Sequence, residues 1–267
     1  MDESQNPPVQ QLAAALHQND ELKKALEECS SARQKAESQL AHTVQAAESA
    51  AEEMQHLIYA VSHDLRTPLR TIASYAKLLE RQHAEDKDTS ELTAFIVDGA
   101  AEMNTLIEDL LKYSRTGNAP KRTTLNLSAI VQFALMNLQP QIGEAGAQIK
   151  IGDLPELAVD ESQFMQLFQQ IIGNALKFRG AESPALEVTA QSEPDGYVIS
   201  VRDNGPGIDP KYHESVFAPF KRLHGREVPG TGLGLPICRK IVRAHGGKIW
   251  VESDGRRGST FKFTVPF

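Results

Sequence analysis

The chain has 267 residues, 40% of them apolar and 24% charged, enough to bury a core and too apolar for global disorder. Its 28 basic and 35 acidic residues leave a net charge of −7, the wrong sign for a protein that coats nucleic acid. Cys29 and Cys238 match neither a zinc spacing nor a disulfide framework, so a reducing, cytoplasmic setting is expected. No stretch approaches the roughly 20 apolar residues of a membrane span.

Between Gln10 and Ser114 the only helix breakers are Pro68 and Gly99, whereas 17 glycines and 11 prolines follow from Thr116 onward. The first part should therefore be long helix and the second turn-rich. Alternating steps of four and three from Leu12 mark a heptad seam that ends Leu40, Val44, Ala47, Ala51, Met54, Ile58, Val61, Leu65. Eleven of its 16 positions are apolar, including every one from Leu40 on, so a coiled coil is expected. The polar stretch from Asn19 to Glu37 fits a solvated single helix equally well.

The same frame runs through Pro68, Ile72, Tyr75 and Leu79. It resumes after the polar linker RQHAEDKDTS at Leu92, Ile96, Gly99, Met103, Leu106, Leu110 and Tyr113. Two such runs make an antiparallel helical hairpin, and two hairpins sharing their apolar stripes close a four-helix bundle, which predicts a homodimer.

His63 falls at the f position, on the outside of that bundle. Asp64 adjoins it, Thr67 follows one turn later, and Pro68 should kink or loosen the helix just beyond. An exposed imidazole whose ring proton is held by a carboxylate is a competent nucleophile. Taken alone, it reads as an ordinary surface histidine, as His17, His42, His56 and His83 do.

From Arg122 onward, helix and strand signals alternate. A short strand TLNL leads to a helix expected to be capped by Ser128. Strands follow at Ile149 to Ile151 and Leu157 to Val159, and Asp160 caps a long helix ending at Phe178. The runs ALEVTAQ and GYVISVRD form a hairpin, GLPICRKIVRAH a helix closed by Gly246 and Gly247, and KIWVES and STFKFTVPF two last strands. This order predicts a mixed sheet with helices on one face, an α/β sandwich.

Three segments carry chemistry there. Asn174 and Lys177 share a helix face with Gln170; an amide oxygen suits Mg2+ and an ammonium suits phosphate. The turn DNGPGI, Asp203 to Ile208, follows a strand. Its Asp203 can accept from an exocyclic amine, while Gly205 and Gly207 permit close backbone approach. The run PGTGLGL, Pro229 to Leu235, puts Gly230, Gly232, Leu233, Gly234 and Leu235 at a helix start, where free N–H groups attract phosphate. Neither a dinucleotide fingerprint nor a Walker loop is present.

With these residues in order, the string SHDLRTPLR from Ser62 resembles the phosphoacceptor box of bacterial sensor histidine kinases. The three later segments are similar to the N, G1 and G2 boxes of the ATPase fold those kinases share with DNA gyrase, mismatch-repair clamps and heat-shock chaperones. VFAPFKRL, Val216 to Leu223, looks like the F box before the ATP lid. The resemblance implies His63 as the phosphorylated residue, Asp64 as its activating base and Thr67 as the residue orienting water in dephosphorylation. It implies Asn174 as the Mg2+ ligand, Lys177 as a phosphate contact and Asp203, in a turn ending at Ile208, as the adenine contact. Phe217 and Phe220 would pack the lid base, Thr260 would line the adenine pocket, and Arg222 and Arg226 would reach phosphate. Gln170 stands where the gyrase and chaperone relatives carry a glutamate that activates water; a neutral amide cannot do that.

The expected organisation is multidomain, α and α+β: a coiled-coil signalling helix at 1–54, a dimerisation and phosphotransfer hairpin at 55–116, and an ATP-binding α/β-sandwich domain at 117–267, reached through a hinge at TGNAP, Thr116 to Pro120. The expected function is an ATP- and Mg2+-dependent histidine autokinase that passes phosphate to an aspartate of a response regulator and takes its input from an upstream sensor, with no nucleic acid or membrane partner. A nucleotide-binding scaffold and a gyrase-type clamp remain the alternatives at this point.

Overall fold

The computed structural model describes residues 61–82, 87–117, 119–180, 182–223 and 230–267, with short stretches between residues 23 and 59. The chain divides into two compact units, Met1–Leu57 and Ile58–Phe267. In the first, the described stretches are helical and exposed, with an Arg33–Glu37 ion pair of 2.8 Å one turn apart. Most of the expected coiled coil, 1–54, lies outside the described residues.

The second unit opens with two helices, α1 (residues 61–82) and α2 (Lys87–Arg115). α1 is helical on both sides of Pro68. Between the two helices, Leu69, Ala100 and Ile107 are buried, flanked by Ala73 and Leu111. The predicted seam instead stays open: Val61, Leu65, Ile72, Tyr75, Leu79, Leu92, Ile96 and Met103 are all exposed in the single chain. Small residues let the hairpin helices approach, and the larger apolar stripe is left for something else to cover.

Thr116 closes α2, its N–H and hydroxyl both donating to Lys112 O at 2.9 and 2.6 Å. Of the expected hinge, Asn118 lies outside the described residues. Then come β1 (Thr123–Asn126), α3 (Leu127–Asn137), α4 (Gln139–Ala145), β2 (Gln148–Ile151), β3 (Glu156–Val159) and α5 (Glu161–Lys177). They are followed by β4 (Ala185–Glu193), β5 (Gly196–Asp203), α6 (Gly234–Ala244), β6 (Ile249–Glu252) and β7 (Thr260–Pro266). Short 3-10 turns at Pro210–Tyr212 and Ser215–Phe217 precede α6.

Asn126, not Ser128, caps α3, accepting from Ser128 N at 2.9 Å and Ala129 N at 3.3 Å. The strand ends one residue sooner than its apolar pattern suggests, and Leu127 already belongs to the buried helix face. α4 has no counterpart among the expected elements; Pro140 restarts a helix after Leu138, because its fixed φ suits a first turn.

The main sheet has strand order β2-β4-β5-β7-β6, with β2 and β4 parallel and the other pairs antiparallel; β1 and β3 form a separate ribbon. Leu186, Val188, Ile199, Val201, Val251, Phe261, Phe263 and Val265 alternate along the strands and are buried on one face, beneath α5 and α6, with α3 packed alongside α5. In α5, Phe164, Leu167, Phe168, Ile171 and Ile172 are fully buried at helical spacing. Each such side chain contributes about 1.5–3 kcal/mol.

The two ends of this helix layer are tied together at Asp160 and His245. Asp160 Oδ1 caps α5 at Gln163 N (3.1 Å), and its Oδ2 accepts from Lys121 N (2.9 Å). Asp160 N donates to Nε2 of the buried His245 at 3.1 Å, so Nδ1 carries the proton and donates to Ile241 O at 2.8 Å. Burial, helped by the Arg122 charge, lowers the His245 pKa, against the Ile241 bond and Asp160, which act to raise it. Below the ordinary imidazole value of 6.5, the unfolded chain therefore binds a proton that the folded chain refuses, and stability falls with falling pH. Urea unfolding across this range should show that decline, and His245→Gln should remove the part of the slope that belongs to this ring.

Candidate active site

His63 lies on the outer face of α1 with its side chain 70% exposed, and its Nδ1 is 3.3 Å from Asp64 Oδ1. With the ring proton turned to the carboxylate, Nε2 presents its lone pair outward. Thr67, one turn on, is exposed as well.

The second site is a cavity of about 320 Å³, a size suited to a small organic ligand. α5 contributes Gln170, Asn174 and Lys177, the end of β5 and the turn after it contribute Asp203, Gly207 and Ile208, and the glycine loop leading into α6 contributes Gly230, Gly232, Gly234 and Leu235. Arg222 lines it from the segment after the 3-10 turns, and Asp109 reaches it from α2.

At one end, Asp203 Oδ1 accepts from Gly205 N at 2.8 Å and Ser259 N at 3.1 Å. One oxygen is thereby committed to backbone, which leaves Oδ2 to receive a donor from within the cavity. Burial raises the Asp203 pKa, while these two bonds act to lower it. The turn is held from behind by Ser253, whose hydroxyl accepts from Ile208 N (2.9 Å) and donates to Gly258 O (2.7 Å). Gly205 itself is not in the lining. A Cβ there would stand 2.8 Å from Phe178 O and 2.9 Å from Asp203 Oδ1, so the glycine permits the turn.

At the other end, α6 begins at Gly234 with no side-chain cap and no acid in its first turn. Its free N–H groups and dipole favour an anion there. The loop before it is packed against α5: a Cβ on Gly230 would collide with Lys177 Nζ, and one on Gly234 would sit 2.5 Å from Gln170 Oε1. Gly232 has a positive φ of 73° and accepts from Phe220 N at 3.1 Å. Burial lowers the Lys177 pKa, as does neighbouring Arg222, and Asp109 opposes them.

Besides Gly205, four expected residues stand apart from this lining. Leu233 and Phe217 are buried behind it, and Phe220 is 58% exposed with φ 61°, a strained value for a phenylalanine. Thr260 does not line the cavity; its neighbours Ser259 and Phe261 do, because strand alternation turns Phe261 to the helix-covered face and Thr260 away from it. Arg226 lies outside the described residues. Asp109, Ser253 and Ser259 carry no motif or spacing that marks them in the sequence, and the structure brings all three to the site.

Glycines that let the loop pack closely against α5, a half-buried carboxylate at one end and cations with a helix N-terminus at the other fit a purine nucleotide with its phosphates. No group of three metal-ligating side chains occurs among the described residues. A nucleotide-borne Mg2+ needs only one or two protein oxygens, and the Asn174 amide is suited to that. Removing the hydroxyl in Ser253→Ala orphans Ile208 N–H behind the turn and should cost about 1–3 kcal/mol of stability, measurable by urea unfolding.

Residues 53–119 match the family described as the His Kinase A (phospho-acceptor) domain, and residues 159–267 match the histidine kinase-, DNA gyrase B- and HSP90-like ATPase. The chain is 42% identical over 232 residues to cyanobacterial phytochrome A of Nostoc sp., covering 85% of this chain and 30% of that protein. It is 41% identical over 218 residues to the phytochrome-like protein Cph1 of Synechocystis sp., covering 80% of this chain and 29% of that one. Sensor histidine kinase WalK of Bacillus subtilis is 32% identical over 226 residues, with 81% and 37% covered. The chain thus spans about 30% of the length of the two phytochromes it resembles.

Among solved structures, full-length ShkA in complex with AMPPNP matches with a TM-score of 0.62 and 26% identity, over 79% of this chain and 46% of that one. ThkA in complex with the response regulator protein TrrA shares the fold, with a TM-score of 0.57 and 22% identity over 79% and 61% of the two chains. An exposed histidine on a helical hairpin, joined to a glycine-framed cavity under a mixed sheet, thus belongs to the sensor histidine kinases, and this chain carries both their phosphoacceptor and their ATPase domains.

Proposed function

We propose that the chain is an ATP-dependent protein-histidine autokinase that phosphorylates His63 and passes the phosphoryl group to an aspartate on a response-regulator receiver domain. The observation that carries this reading is His63, outward on α1 with Asp64 at its Nδ1, in the same chain as a cavity built for a purine nucleotide. ThkA was solved with a response regulator bound, which supports a partner of that kind for this chain.

ATP is the substrate. Asp203 Oδ2 accepts from the adenine amine, and the α6 N-terminus, Lys177 and Arg222 receive the phosphates. Mg2+, held by Asn174, supplies charge neutralisation along the polyphosphate when bound. The Nε2 lone pair of His63 forms the new N–P bond as the bond between the terminal phosphorus and its bridging oxygen breaks, and ADP leaves. Asp64 keeps the Nδ1 proton and balances the positive ring that results. Gln170 at the glycine loop offers no carboxylate to activate water, so the phosphoryl group goes to the imidazole. Thr67, on the same face, orients water when phosphate is removed from the partner.

The exposed apolar seam of α1 and α2 is the dimer face in this reading, with the preceding heptads as a coiled coil relaying an upstream sensor. Among the described residues, no helix is long and apolar enough to cross a membrane. Cys29 is exposed and Cys238 buried, both as free thiols, which suits a cytoplasmic setting.

Incubation with γ-labelled ATP should label the chain with acid-labile, alkali-stable phosphate, and His63→Gln should abolish that label. Asp64→Asn should slow labelling by about 10²-fold while His63 stays in place. ATP hydrolysis that continues undiminished in His63→Gln would show a clamp-like ATPase instead.

A further inference from the structure

Asp109 projects from α2 into the nucleotide cavity, with its side chain 24% exposed. Its Oδ2 accepts from Thr231 Oγ1 at 2.8 Å, and its Oδ1 lies 3.3 Å from Lys112 Nζ. Thr231 is buried in the glycine loop, and its hydroxyl also accepts from Leu233 N at 3.4 Å. The carboxylate is therefore coupled to the backbone that leads into the α6 N-terminus. Farther along α6, Lys240 Nζ donates to Tyr113 O at 2.8 Å and lies 4.7 Å from the Tyr113 ring centroid, a second hold on the same stretch of α2.

The phosphate end of the cavity thus contains Lys177, Arg222 and the helix N-terminus, with the hairpin's own carboxylate set against them. A polyphosphate would bring further negative charge to that end, facing Asp109 across a partly desolvated space where like charges repel strongly. We infer that Asp109 is a residue of the nucleotide site that opposes the terminal phosphate, so that docking of α2 on the glycine loop and binding of a nucleoside triphosphate weaken each other. This rests on the ATP reading above and adds a coupling to it. By linkage, a triphosphate that binds loosens the hold of α2 on the domain that must travel to His63, and a tighter hold lowers nucleotide affinity by the same factor.

The test is a calorimetric titration of the full chain, wild type and Asp109→Asn, with a non-hydrolysable ATP analogue and with ADP, both in Mg2+. Asparagine keeps an oxygen for Thr231 and removes only the charge. The variant should bind the triphosphate about tenfold tighter, within the usual range of coupling between sites, with a smaller gain for ADP. Asp109→Ala, which also removes the acceptor for Thr231, should tighten the triphosphate at least as much. Unchanged triphosphate affinity in both variants would overturn the inference. So would weaker binding, which would make Asp109 a ligand of the nucleotide-borne cation. Wild-type chain that binds neither nucleotide would overturn the ATP reading itself, and this inference with it.

Discussion

Helix α5 has to bury one face completely and keep one edge polar, and the rest of the ATPase domain is arranged around that requirement. Phe164, Leu167, Phe168, Ile171 and Ile172 lock it to the sheet, with Phe168 edge-on to Phe263 at 5.9 Å. Gln170, Asn174 and Lys177 then emerge at the cavity because they share the helix with those anchors. The Asp160 cap and its bond from backbone N–H to His245 stop the helix sliding along its axis, joining the start of α5 to the end of α6. A shift of one residue would rotate Asn174 by about 100° out of the site.

The cavity is polarised along its length. At one end a carboxylate is half satisfied by backbone N–H groups and half open; at the other a helix N-terminus, a lysine and an arginine meet. Neither end is made by one segment. The β6–β7 loop supports the Asp203 turn through Ser253 and Ser259, and the glycine loop leans on Lys177 and Gln170 of α5. A ligand that spans both ends therefore reports on the packing of strand, helix and loop together, which gives the hairpin's contact at Thr231 a direct route to nucleotide affinity.

The hairpin is built differently. Its internal contact is narrow, made by Leu69, Ala100 and Ile107, while the larger seam residues remain exposed in a single chain. A stripe of that size is costly to leave in water. His63 sits off the stripe, so covering the seam with a second hairpin leaves its imidazole accessible.

Periodicity and end signals alone determined much of this protein: the helical hairpin, the outward position of His63, the Asp160 cap, the β4–β5 hairpin and the glycine loop at the head of α6. These follow from local rules, in which a repeat of 3.5 or 2 and a capping residue act within a few positions of one another. The cap of α3 at Asn126 was missed because it depends on where β1 stops, which its partner β3 decides, and the restart at Pro140 because a proline just past a helix reads as its end. Which face of β7 meets the cavity was likewise decided by register, and it exchanged Thr260 for Ser259 and Phe261. Asp109, Ser253 and Thr231 belong only to the tertiary structure. Their partners stand 122 residues away across a docked helix, or 45 residues away on a neighbouring loop, and no local pattern marks a polar side chain whose purpose lies in a contact so distant along the chain.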